Sequence, residues 1–185
     1  MTLQELKKKA LVLIEEISPN NANLTEDPDI AAKINDVVNQ RMFEVVRIKK
    51  LPKYAEIEVT AGDLVEFADI ESAVGNEVYQ LGTVGGVAYE PKADGTVLKI
   101  KESGTLEVNC YVYPERITEK TKDTYEFELT PDVLEILVYG VAADLLKSDV
   151  SAEYGSIYAT EYEKLLNRLD PRYAMTSIYI EGGVL

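Results

Sequence analysis

The hydrophobic period of the chain changes twice, and those two changes limit what it can fold into. From Thr2 to about Lys50 the apolar residues recur every three to four positions; from Tyr54 to Leu129 they alternate; from Thr130 to Leu169 the helical spacing returns. A helix-patterned run does not settle as a strand, nor the reverse, so the order is helices, then strands, then helices.

Local signals sharpen this order. Thr2 and Glu5 have capping-box spacing, and Leu3, Leu6, Ala10, Leu13, Ile14 and Ile17 form the apolar face of a first helix that ends at Ser18–Asn21. Asp27 and Pro28 open a second helix, with Ile30, Ile34, Val37, Val38, Met42 and Val45 as its stripe, closed before Pro52. Next, Ala55, Ile57 and Val59 alternate with Glu56, Glu58 and Thr60, and Leu106, Val108, Cys110 and Val112 with Glu107, Asn109, Tyr111 and Tyr113. Asp94-Gly95 and Ser103-Gly104 are turn signals around a short strand over 96–101, and residues 124–129 alternate once more. Residues 54–129 therefore read as an antiparallel unit of five or six strands, polar on one face.

Thr130 caps the third helix, Pro131 takes its first position and Asp132 suits the positive end of its dipole. Val133, Leu134, Leu137, Val138, Val141, Ala142 and Leu145 line it. Ser148 or Ser151 caps the fourth, which carries Tyr154, Ile157, Tyr158, Tyr162, Leu165, Leu166 and Leu169 and ends at Pro171. Residues 177–180 alternate and Gly182-Gly183 follows, a piece too short to fold alone and suited to pairing with a sheet edge. The expected fold is α+β: an antiparallel bundle of about four helices built from 1–53 and 130–172, an inserted acidic β unit at 54–129, and an extended C-terminal tail at 173–185.

Charge follows the same division. Residues 1–53 carry nine basic and eight acidic residues, 54–129 six and 16, and 130–185 four and nine, giving the net −14 of the chain. A surface this acidic repels phosphate backbones, which disfavours a grip on nucleic acid. A single Cys110 and no histidine exclude an intrachain disulfide, most zinc sites and the usual base for a serine or cysteine nucleophile. The N-terminal Lys7–Lys9 and the apolar stretch after them resemble a signal peptide, but Glu15 and Glu16 interrupt it and no small-residue cleavage site follows. With no run of about 18 apolar residues, no membrane span is expected. A soluble intracellular product, made in a reducing cytoplasm, is the expectation.

Chemical motifs are few. Gly82-Thr83-Val84-Gly85-Gly86 lacks the Gly-Lys-Ser/Thr ending of a phosphate loop and reads as a hairpin loop. Glu56 with Glu58, and Glu126 with Glu128, sit two apart on strands and share a solvated face. Asp63, Glu66, Asp69 and Glu71 lack calcium-loop spacing. Cys110 falls on an apolar face as an inert core residue. No enzyme, no cofactor and no metal are expected. The 12 tyrosines are more telling, against three phenylalanines and no tryptophan. Tyr154, Tyr158 and Tyr162 recur every four residues, as a core stripe or as a face toward another subunit. Tyr139, Gly140 and Ala143 allow close helix packing, within a chain or between chains.

The stretches YEFELTPDVLEILVYGVAADLL and YGSIYATEYEKLLNRL resemble the C-terminal half of tailed-bacteriophage and prophage head–tail connector (adaptor) proteins. Shared features are a polar, acidic lead-in, a proline near a helix start, a Tyr-Gly-x-Ala-Ala stretch and a following helix rich in Tyr, Glu and Leu. The likeness covers about residues 124–170, with weaker agreement over 1–50; the strand unit is larger than in the all-helical members. The resemblance implies a structural virion protein of the neck, made in the bacterial host cytoplasm. It would form a homo-oligomeric ring, usually a dodecamer, beneath the portal protein. Such a ring extends the DNA channel, passes double-stranded DNA without specific binding, and offers a platform to a stopper or tail-completion protein. Tyr139, Gly140, Ala143, Tyr154, Tyr158 and Tyr162 would then be subunit-interface residues. Ile178, Tyr179, Ile180, Val184 and Leu185 would dock the tail on the portal or a neighbour. Another neck or tail-completion protein is one alternative; an acidic carbohydrate-active hydrolase or binding module, of a different class, is another.

Overall fold

The computed structural model describes residues 1–18, 20–22, 24–147 and 152–169. Its elements in chain order are α1 (Leu3–Leu13), α2 (Pro28–Lys49), β1 (Pro52–Val59), β2 (Leu64–Glu66), α3 (Phe67–Val74), β3 (Val78–Gly85), β4 (Tyr89–Lys92), a 3-10 turn (Ala93–Gly95), β5 (Val97–Ile100), β6 (Gly104–Val112), α4 (Pro131–Leu145) and α5 (Ala152–Leu169). The chain divides into two compact units, Met1–Lys49 with Ile117–Leu185, and Lys50–Arg116.

This corrects the expected fold class. Among the described residues there are five α-helices and two three-stranded antiparallel sheets, not an antiparallel bundle of about four helices with one inserted antiparallel β unit. Three local causes account for the difference. First, Phe67–Val74 is a helix because the Asp69 carboxylate accepts from the Glu66 amide at 2.8 Å at its start, and Gly75, at φ +76, closes its end through a bond to the Glu71 carbonyl. Second, the strands divide as β1-β6-β3 and β2-β5-β4; β6 pairs with β1 and β3 rather than with β5, its neighbour in sequence. Third, residues 124–129 form no strand. They make one bridge, Thr2 to Glu126, while the Leu3 and Gln4 amides donate to the Tyr125 and Asp123 carbonyls at 2.9 and 3.1 Å. Those first-turn amides have no partner inside α1, so the returning chain caps it.

In the helical unit, Thr2 and Glu5 close the capping box, with bonds of 2.9 and 3.2 Å. Asp27 caps α2 by accepting from the amides of Asp29 and Ile30. Glu15 adopts a left-handed φ of 60°, and α1 stops at Leu13 rather than at Ile17. α4 is the central helix: Val133, Leu134, Ile136, Leu137, Val138, Val141 and Leu145 are all buried, and it packs on α1, α2 and α5. At its start the Thr130 hydroxyl bonds the Asp132 carboxylate and holds it below the ordinary carboxylate range. Asn39, 3% exposed, donates to the Ile117 carbonyl at 2.8 Å and accepts from its amide at 2.7 Å, which fixes the chain where it enters this unit.

In the second unit β1 and β6 pair with Ala55 opposite Val108, Ile57 opposite Leu106 and Glu56 opposite Glu107. The apolar face of β6 (Leu106, Val108, Cys110, Val112) shares one core with Val65, Ile70, Val78, Leu98 and Ile100. Burial pushes the Cys110 thiol upward, toward the uncharged form. The glycine-rich stretch belongs largely to β3 rather than to a loop. Gly86 turns the chain away at φ +86, where a Cβ would lie 2.2 Å from the Thr105 carbonyl oxygen. The carboxylates of 63–71 are spent on backbone: Asp63 accepts from Thr60 N, Asp69 from Glu66 N and Glu71 from Val78 N.

Candidate functional site

The α4–α5 hairpin is where the sequence placed its interface, and two glycines decide how closely its helices approach. A Cβ on Gly140 would lie 2.7 and 2.8 Å from the Tyr162 ring and 3.2 Å from Cδ of Arg41; one on Gly155 would lie 3.1 Å from Cβ of Leu146. Tyr162 thus lies flat on α4, 2% exposed, and its hydroxyl donates to Glu44 at 2.8 Å. Arg41 stands over its ring at 4.7 Å and clamps Asp144 through Nε and Nη2, both at 2.6 Å, with Nη1 on Glu44 at 2.7 Å. Lys147 adds a second cation at Asp144, 2.5 Å away.

The electrostatics of this cluster are balanced by contact. Burial opposes the charge on Arg41, but the bonds to Asp144 and Glu44 outweigh it and hold the guanidinium above its ordinary pKa. Burial likewise opposes the Asp144 charge, and Arg41 and Lys147 overcome it, keeping the carboxyl below its usual range. For Tyr162, burial and then the Glu44 bond push the phenol upward. Arg41, Glu44, Asp144 and Tyr162 hold α2, α4 and α5 together through satisfied bonds.

Gly140, Ala143 and Tyr162, expected at a subunit interface, are therefore occupied inside the chain; Ala143 is 2% exposed. The tyrosine row does not share one side. Tyr162 is in the core, Tyr158 is half-buried and donates to the Leu13 carbonyl at the end of α1, and Tyr154 is 64% exposed. Tyr139 is half-buried in a hollow of about 320 Å³ between α1 and α4, with Lys8, Lys9, Val12, Leu13, Glu135 and Val138. A second hollow of about 330 Å³ is formed by Leu13, Ile14, Glu15, Glu16, Leu146, Tyr154 and Tyr158. Leu13 lines both, so the two hollows adjoin there, one beside α1 and α4 and the other beside the end of α1 and α5. Ile178, Tyr179, Ile180, Val184 and Leu185 lie outside the described residues.

Two exposed apolar residues near these hollows or on the outer side of α5 were not read as such from sequence. Val12 is 52% exposed on α1, outside its apolar stripe, and Ile157 is 61% exposed although it fits the helical spacing of a core residue. For Ile157 a signal existed: it lies three residues from Tyr154 and points away from Gly155 and Tyr162, the positions that face α4.

A third hollow, about 550 Å³, is polar and lined by Lys7, Asn35 and residues 118–123 among others. Lys7 is lowered by burial, partly offset by Asp123 at 3.9 Å, and the Asn35 Oδ1 is buried without a hydrogen-bond partner. Among the described residues no group of three or more Cys, Asp or Glu is arranged to hold a metal ion, and no helix is long and apolar enough to cross a membrane. No protein-family model matches the chain, and no curated protein matches it.

Proposed function

We propose that the chain is a structural subunit of the phage neck, a head–tail connector (adaptor) without catalytic turnover. In this reading copies assemble as a ring, of twelve in the usual case, beneath the portal of the virion. The ring extends the DNA channel and receives a stopper or tail-completion protein. The observation that carries the reading is the division of labour on α5. One side is locked to α2 and α4 through Tyr162, and the other leaves Tyr154 and Ile157 outward, within the segment that resembles connector proteins. Exposed aromatic and aliphatic side chains on a rigid helix are what lateral packing between subunits uses. The charge of the second unit also supports it: 50–116 carries 12 acidic and six basic residues, net −6, a surface that lets DNA pass without adhesion.

The test is assembly with a portal. Native mass and negative-stain imaging should show closed rings seated on the portal when portal protein is present, with the full chain alone as the control. A chain that stays monomeric and ignores portal would sink the reading.

A further inference from the structure

Among the described residues of the helical unit, Val12 and Tyr154 are large apolar side chains that stand exposed, each at the edge of a hollow, and the two hollows share Leu13. Single exposed apolar residues are ordinary; two that border adjoining hollows, with charges set around them, are less so. Those charges are arranged in order. Along α1 and its end, Lys8 and Lys9 precede Val12, and Glu15 and Glu16 follow it, with Lys8 and Glu15 exposed.

We infer that this face joins two copies of the chain about a two-fold axis near Val12. Such an axis reverses the partner's α1, so that Lys8 of each copy meets Glu15 of the other, while Val12 and Leu13 stack at the centre; Lys9 is already paired with Glu135 of its own chain. A two-fold contact uses the same patch from both sides and so requires a patch complementary to its own reversal. The order basic, apolar, acidic meets that requirement. Tyr154, which borders the same hollow as Glu15, flanks the centre and supplies a large apolar contact with the wet edge that interfaces favour. Other occupants fit less well: Glu15 and Glu16 repel nucleic acid and anionic membrane alike, and an unrelated protein needs no internal reversal of charge. The apolar centre offers a few hundred Å² per copy, short of the roughly 800 Å² of a standard interface, so the pairing is micromolar or weaker. This contact is made by free chains and goes beyond the connector reading; because Tyr154 serves both, the pair must open before a ring forms on a portal, and a dimer without rings, or rings without a dimer, separates the two readings.

Sedimentation velocity of the full chain, from low micromolar to near-millimolar concentration, reads the equilibrium directly. Wild type should pass from monomer to dimer, less readily at high salt. Val12→Asp should weaken pairing by about tenfold or more. Lys8→Glu and Glu15→Lys should each weaken it several-fold at low salt, and the double variant K8E/E15K should recover to within about threefold of wild type. All three positions are exposed, so helical circular dichroism should be unchanged and a folding defect would be visible separately. A wild type that stays monomeric throughout, a double variant as weak as the two singles combined, or an open series of larger oligomers would each overturn the inference, because a two-fold contact closes at two.

Discussion

Replacing Gly140 by alanine sets two effects of opposite sign against each other, and the geometry decides which prevails. In a loosely packed helix interior, Gly→Ala would stabilise by about 0.5–1 kcal/mol through the glycine's lost entropy. Here the new Cβ would sit 2.7 and 2.8 Å from two atoms of the Tyr162 ring and 3.2 Å from Arg41 Cδ. The ring cannot withdraw freely, because its hydroxyl is bonded to Glu44 and its face is covered by Arg41. Overpacking of this kind costs about 1–3 kcal/mol, so the balance is a loss of about 1–2 kcal/mol. Urea unfolding followed at the helical circular dichroism band should show a lower midpoint with an unchanged slope. In a Tyr162→Leu background the same alanine should be neutral or stabilising, giving a coupling of about 1 kcal/mol or more. A Gly140→Ala chain as stable as wild type, or additive behaviour in the double variant, would refute the claim that Tyr162 packs on Gly140 within the chain.

Asp144→Asn should destabilise the helical unit by about 2–4 kcal/mol, since it leaves the Arg41 guanidinium, 13% exposed, with Glu44 as its remaining carboxylate. The same group sets a pH dependence. Its pKa is depressed in the folded chain, so its contribution is present above the unfolded carboxyl value of about 4 and is lost as pH falls through the folded value. Urea midpoints measured between pH 6 and pH 3 should therefore fall less steeply in Asp144→Asn than in wild type; parallel slopes would contradict the assignment. Asn39→Ala should cost about 2–4 kcal/mol because both backbone groups of buried Ile117 lose their partner. Faster amide exchange at Ile117 in that variant is the local readout.

What could be read from the sequence was what is decided within a few residues. The Thr2–Glu5 box, the Asp27-Pro28 start and the alternation of β1 and β6 all rest on neighbours one to four positions apart. The helix α3 was missed because Phe67, Ile70 and Val74, although at helical spacing, span only eight residues within a segment that otherwise alternates. Residues 124–129 alternate like a strand, yet the donors that engage them belong to the first turn of α1, some 120 positions earlier in the chain. No local pattern records that pairing. The split into two sheets has the same origin, since it depends on β6 choosing β1 and β3 over β5.

The tyrosine row shows why a candidate interface is harder to read than a fold. Residues four apart on an α-helix are offset by roughly 40°, so three of them turn the row by about 80° from first to last. That rotation is enough to carry Tyr162 into the core while leaving Tyr154 in solvent, although the spacing is uniform. Small residues in α4 were equally ambiguous, because a close helix contact looks the same whether the second helix belongs to this chain or another. The short connection to α5 resolves it in favour of the chain itself: Gly140 receives Tyr162, and Gly155 receives Leu146. Stability and adhesion then lie on different sides of one helix. Substitutions on the Tyr162 side change the urea midpoint, those at Tyr154 or Ile157 change only what the subunit adheres to, and the two properties can be measured independently.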